Sequence, residues 1–167
     1  MKQLYQYGFI VLSLIGFTLN TFEVLEKNSQ KTIEKQEQSS ESFKSVLIKH
    51  LKAVRNKDLV SLKATMSPKG NMELILPSSE TLYSVDKFMA FHKEWFSSPN
   101  WTFEAKILST NSGKNIAVAT TEVMYKEPNR NGKAYFNRMI VSYTLEKIDG
   151  KWYIIKDHAS SIEKTAN

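Results

Sequence analysis

The sequence predicts an α+β fold in which helices come first and a run of antiparallel strands follows. Three observations carry this. Residues 43–57, "FKSVLIKHLKAVRNK", place Phe43, Val46, Leu47, His50, Leu51 and Val54 on one helical stripe, with Lys44, Lys49, Lys52 and Arg55 mostly opposite. Beyond Trp101 the chain turns to long segments rich in β-branched and aromatic residues, "WTFEAKILST", "NIAVATTEVMYKE" and "AYFNRMIVSYTLEKI". Asp149-Gly150 then joins the third of these to "KWYIIKDHASS" and is a strong signal for a two-residue hairpin. Helices gathered ahead of strands, instead of alternating with them, argue against a doubly wound parallel sheet.

The elements follow in order. Lys2 precedes "GFIVLSLIGFTL", an uncharged apolar stretch of about a dozen residues that matches the central part of a signal peptide. It is shorter than the roughly 20 residues that span a bilayer. Residues 1–25 are therefore expected to be a signal peptide or export segment, and the protein to be periplasmic or secreted. The region after it, "NTFEVLEK", offers no small-residue cleavage site, and a buried helix of the mature fold is the alternative. Residues 26–40 are Lys, Glu, Gln and Ser with one isolated Ile33, a composition that buries little apolar surface and reads as a polar linker. The folded domain is expected over 41–163, with 164–167 as a tail.

Within that domain Asp58 is placed to cap a short helix carrying Leu59, Leu62 and Met66, which Ser67-Pro68 and Lys69-Gly70 stop. "NMELILP" is a short strand. Ser84 caps a third helix with Asp86 in its first turn and an inner stripe of Val85, Phe88, Met89, His92, Trp95 and Phe96.

Composition removes several function classes. The chain has no cysteine, which excludes disulfides, thiolate metal sites and a cysteine nucleophile. Its net charge of +6 arises from lysines interleaved with glutamates, not from a dense basic groove, so no nucleic-acid partner is expected.

The element order, the "DGKW" hairpin and the ending Trp152, Ile154, Asp157, His158, Ser160 together resemble the SnoaL-like branch of the nuclear transport factor 2-like superfamily. The resemblance spans about residues 41–163. It implies a cone: a strongly curved, mostly antiparallel sheet wrapped around the N-terminal helices, with a pocket at the open end. It also implies steroid isomerases, polyketide cyclases, dehydratases and association domains among the relatives, and homodimers built on the outer face of the sheet. The catalytic trio of the ketosteroid isomerases, an Asp base facing a Tyr and a protonated Asp, cannot be placed residue by residue here. Fold supplies a container, and function has to be argued from the site.

On a regular strand Trp152, Ile154, Lys156, His158 and Ser160 share one face, while Tyr153, Ile155, Asp157 and Ala159 share the other. Asp157 and His158 then point apart and do not form a dyad. His158, on the face of Trp152 and Ile154, is expected to point inward as a general acid or base or a ligand contact; the alternative is a structural tie. His92 is the second candidate, with a satisfied core histidine as the alternative. His50 reads as packing. Trp95, Trp101 and Tyr125 suit an aromatic wall for a flat apolar ligand, or plain core. Arg138 shares a face with Ile140 and Ser142, and Glu122 with Val118 and Met124; either charge would line the ligand site or sit on the outer face. No carboxylate motif has metal-ligand spacing, and neither metal nor cofactor is expected. The functional expectation is an exported protein that binds a small, largely apolar molecule in the pocket. The alternatives are a cofactor-independent isomerase, cyclase or dehydratase using His158, and an oligomerisation module.

Overall fold

Ser42 closes the chain's entry into the first helix by accepting a hydrogen bond from the Ser45 amide at 3.2 Å. Helix α1, Phe43–Arg55, then buries Val46, Leu47, His50, Leu51 and Val54, the stripe set by the sequence, and adds Ala53. Each large apolar side chain so buried contributes about 1.5–3 kcal/mol. The structure, a computed structural model, describes Lys27 and residues 41–166. Residues 1–25, expected to be an export segment, and most of the expected linker lie outside the described residues. Helix α2, Leu59–Lys63, starts at Asp58, whose carboxylate accepts from the amides of Val60 and Ser61. Helix α3, Val85–Ser97, starts at Ser84, whose hydroxyl accepts from the Lys87 amide.

The strands are β1 (Glu73–Ile75), β2 (Thr81–Tyr83), β3 (Thr102–Ser112), β4 (Ile116–Arg130), β5 (Lys133–Ile148) and β6 (Lys151–Lys164). They form one curved, unclosed sheet in the order β2-β1-β6-β5-β4-β3. All neighbours are antiparallel except β1 and β6. The α+β architecture expected of the sequence is therefore the one observed. Strand β2 was not foreseen: three residues behind "PSSE" are too few to show a period. Asp149 and Gly150 have φ of 49° and 80°, the paired positive values that a tight hairpin between right-twisted strands requires. Asn131 and Gly132, at 55° and 87°, make the same kind of turn between β4 and β5.

The sheet bends where single residues are left unpaired. In β6, Leu145 of β5 faces Ile154, but the next partner, Thr144, faces Lys156, so Ile155 is bulged out. A second slip leaves Ile162 without a partner, since Met139 faces Ser161 and Arg138 faces Glu163. The first bulge reverses the faces read from simple alternation. Trp152 and Ile154 are buried, and beyond the bulge Asp157 is the buried residue while His158 is exposed. The inward orientation expected of His158 is therefore corrected. The physical reason lies in Lys156, which unbroken alternation would drive into the apolar interior. With the bulge it reaches Glu73 of the neighbouring strand at 2.7 Å.

The chain's lack of cysteine makes this orientation directly testable. A single thiol at His158→Cys is expected to react with a maleimide at least about tenfold faster than one at Asp157→Cys, because reactivity follows exposure. Equal rates, or the reverse order, would show that β6 is not bulged at Ile155.

Candidate functional site

Helix α3 packs against the sheet and carries two of the candidates, His92 and Trp95, to the site. Phe91 and Trp95 on that helix, Phe103 on β3, Tyr125 on β4 and Tyr135 on β5 wall a cavity of about 340 Å³. That volume lies at the small end of the range for ligand sites, about 300–1,000 Å³. Its polar lining is sparse: His92, Asn137, Tyr143 and Asp157, with Glu127 and Arg130 also contributing.

Asp157 dominates the chemistry. Its carboxyl group is buried, makes no hydrogen bond among the described residues, and is pushed up to about 7 by loss of water. Tyr143, its cross-strand neighbour, is buried too and is driven well above its ordinary value, first by desolvation and then by the nearby Asp157 charge. His92 donates Nδ1–H to the Phe88 carbonyl at 2.8 Å, which assigns the lone pair to Nε2. Burial lowers it to about 4 against that bond's opposing effect, so it is a neutral acceptor at physiological pH. Its ring lies 3.9 Å from Phe88 and 5.6 Å from Trp95, centroid to centroid.

Behind His92 a second histidine is fully enclosed. His50 bonds through Nδ1 to the Thr65 hydroxyl at 2.8 Å, and Thr65 spends its one hydrogen on the Leu62 carbonyl at 2.7 Å. His50 must therefore be the donor, and its Nε2 is buried with no partner among the described residues. Burial, and secondarily His92, lower it to about 3. His50 is packed in the core, as its place on the helical stripe suggested.

On β4, Tyr125 donates to Glu127 at 2.5 Å while Arg130 grips the same carboxylate through Nε and Nη2. The Arg130 guanidinium also lies 3.4 Å from the centre of the Tyr135 ring. The Tyr125 hydroxyl is raised to about 12, chiefly by desolvation and then by Glu127. Among the lining residues Arg130 is thus a cation already committed to an anion.

The structure brings three of the expected ligand residues, His92, Trp95 and Tyr125, onto one wall system and leaves the other three outside it. Trp101 is buried but stacks behind Trp95 at 4.5 Å and donates to the Trp95 carbonyl, so it backs the wall without forming it. Arg138 lies on the outer face, paired with Glu122 at 3.5 Å and Glu163 at 3.3 Å. His158 is turned outward by the bulge. Residues that sequence reasoning missed are Asp157, Asn137, Tyr143 and the Glu127–Arg130 pair. One signal pointed to Asp157: an inward Lys156 was the implausible consequence of leaving the strand regular. Among the described residues no group of three or more His, Asp or Glu side chains could hold a metal ion. Among the same residues no helix is long and apolar enough to cross a membrane.

Fold and cavity together define an α+β roll with a buried, ligand-sized site between helix and sheet. The chain belongs to the SnoaL-like domain family, whose model matches residues 44–163. Among curated proteins none matches it. Solved structures confirm the fold. A ketosteroid isomerase-like protein from Erwinia carotovora atroseptica superposes with a TM-score of 0.62 at 17% identity, covering 72% of this chain and 94% of that one. A Caulobacter vibrioides protein with a cystatin-like fold gives 0.63 at 10% identity, covering 72% and 87%. An NTF2-like protein from Pseudomonas putida gives 0.59 at 14% identity, covering 70% and 82%.

The site has a pH signature. Asp157 in the fold keeps its proton from the ordinary 3.8 up to about 7, so its stabilising contribution is full below that interval and lost as pH rises through it. His50 and His92 act oppositely: folded values of about 3 and 4 against 6.5 mean stability lost as pH falls from 6.5. Comparing Asp157→Asn with the parent cancels the histidines. The variant's relative stability is expected to rise between pH 5 and pH 8, by about 2 kcal/mol. A difference that stays flat or falls in parallel denaturation series would mean that Asp157 is not desolvated.

Proposed function

We propose that the protein binds a small, largely apolar molecule in the cavity between α3 and the sheet, with Asp157 as its polar anchor. The observation that carries this is a solitary buried carboxyl group set among aromatic side chains. Leaving it unpaired costs the fold stability with no structural return, as groups retained for a ligand do. The acid/base role expected of His158 passes, in this reading, to Asp157. Export to the periplasm or beyond belongs to the same proposal and rests on the apolar segment after Lys2. So does homodimerisation through the outer sheet face, where Ile116 and Val118 are each 46% exposed beside the buried Ala117 and Ala119.

Saturation-transfer NMR with 2-tetralol, a flat bicyclic alcohol, tests the site. Binding is expected for the parent protein and lost in Ala159→Phe, which fills the cavity from β6. No transfer, or transfer unaffected by that substitution, overturns the proposal.

A second reading is favoured by one observation: an acid whose pKa stands near the working pH is suited to moving protons. If Asp157 acts as a base, 2-tetralone incubated in D2O exchanges its α-hydrogens faster with protein than without, and the acceleration disappears in Asp157→Asn. Exchange at the background rate removes the catalytic reading and leaves the binding one standing.

A further inference from the structure

The cavity's polar wall carries both signs: Tyr143 and the Asn137 amide can donate, while Asp157 and His92 present lone pairs. Asp157 offers carboxyl oxygens with no donor directed at them, and His92 presents the Nε2 lone pair because Nδ1 is bound to Phe88. Asn137, also on the wall, has its Oδ1 buried without a partner among the described residues and carries an amide donor beside it. The cation among the lining residues, and one of the donors, are already engaged. Arg130 is held by Glu127, and the Tyr125 hydroxyl donates to the same carboxylate. Phe91, Trp95 and Tyr125 add aromatic surface, which favours a cation over an anion. An anionic ligand would meet the Asp157 carboxyl group and the His92 lone pair on the wall.

Resting on the binding site proposed above, we infer that its ligand is a protonated amine on a compact apolar body, the ammonium pairing with Asp157 and the body packing between Phe91, Trp95 and Tyr125. An ammonium supplies the donors that Asp157 and His92 lack. Its positive charge offsets part of the desolvation cost of ionising the buried carboxyl group. A carbonyl compound can accept from Tyr143 or Asn137 but gives Asp157 and His92 no donor.

The pH behaviour follows from the surroundings of Asp157. Facing it are Tyr143 from β5, which is neutral, and apolar Leu74 from β1; His92 from α3 and His50 from α1 are neutral as well. From β4 come Glu127 and Arg130, which cancel one another. Without ligand Asp157 is therefore about half protonated near pH 7, and binding an ammonium expels that proton.

The test compares three probes of one shape: 2-aminotetralin, 2-tetralol and 2-tetralone, titrated by quenching of tryptophan fluorescence at pH 8 and pH 5.5. The amine is expected to bind at least about tenfold more tightly than the alcohol at pH 8, with the ketone weakest. That advantage shrinks by about tenfold or more at pH 5.5, where protonated Asp157 no longer attracts a cation. In Asp157→Asn, checked for its fold by circular dichroism, the amine-to-alcohol affinity ratio falls to about one. The inference is overturned if alcohol or ketone equals the amine at pH 8, or if the amine's advantage survives in Asp157→Asn. Binding of the neutral probes, lost in Ala159→Phe, with no advantage for the amine defeats this inference alone. Failure of all three probes to bind defeats the binding site itself.

Discussion

One extra residue in strand β6 decides which chemistry the cavity contains. β6 is flanked by β1 and β5, so its register cannot drift without breaking both ladders. Up to Ile154 its inward face is apolar. There the bulge at Ile155 spares the interior a lysine and turns Asp157 inward in its place. The same bulge bends the strand and deepens the concavity that α3 covers. Shape and chemistry of the site thus share a single origin, and neither could be changed there without the other.

Around the carboxyl group the fold keeps both of its buried histidines uncharged. His50 begins a short chain of hydrogen bonds, His50 to Thr65 to Leu62, which holds helix α1 to the end of α2. His92 is tied to its own helix through Phe88. Both histidines donate through Nδ1, and both are kept neutral by burial. Because neither is charged, the carboxyl group remains available to whatever enters.

The outer surface follows a different logic. Arg138 bridges Glu122 and Glu163 across β4, β5 and β6, and Lys156 bridges β6 to Glu73, so charge there reinforces the ladder at modest energetic value. Close to the cavity, Glu127 collects a tyrosine hydroxyl and a guanidinium in one cluster on a tight turn. These pairings explain why residues that looked alike in sequence, Arg130 and Arg138, serve different surroundings. Each is placed by the register of its strand, which composition does not reveal.

Much of the fold was legible because it depends on short-range periodicity and local chemistry. The stripe from Phe43 to Val54, the caps at Asp58 and Ser84, and the Asp149-Gly150 turn each record a requirement that holds within a few residues. The aromatic wall was legible in part for the same reason, since His92 and Trp95 share a helical face. Trp101 looked equivalent and proved to lie behind Trp95, a distinction that exists only once β3 packs against α3. The largest difference concerns Asp157 and His158. Alternation along a strand is a local rule, but whether it continues past Ile154 depends on pairing with β5 and β1, and on what Lys156 would meet inside. By itself the sequence determined the class of fold, its helices and its principal turns. Only the tertiary structure decided that an aspartate, not the adjacent histidine, faces the cavity, because a one-residue slip in a sheet exchanges its two faces.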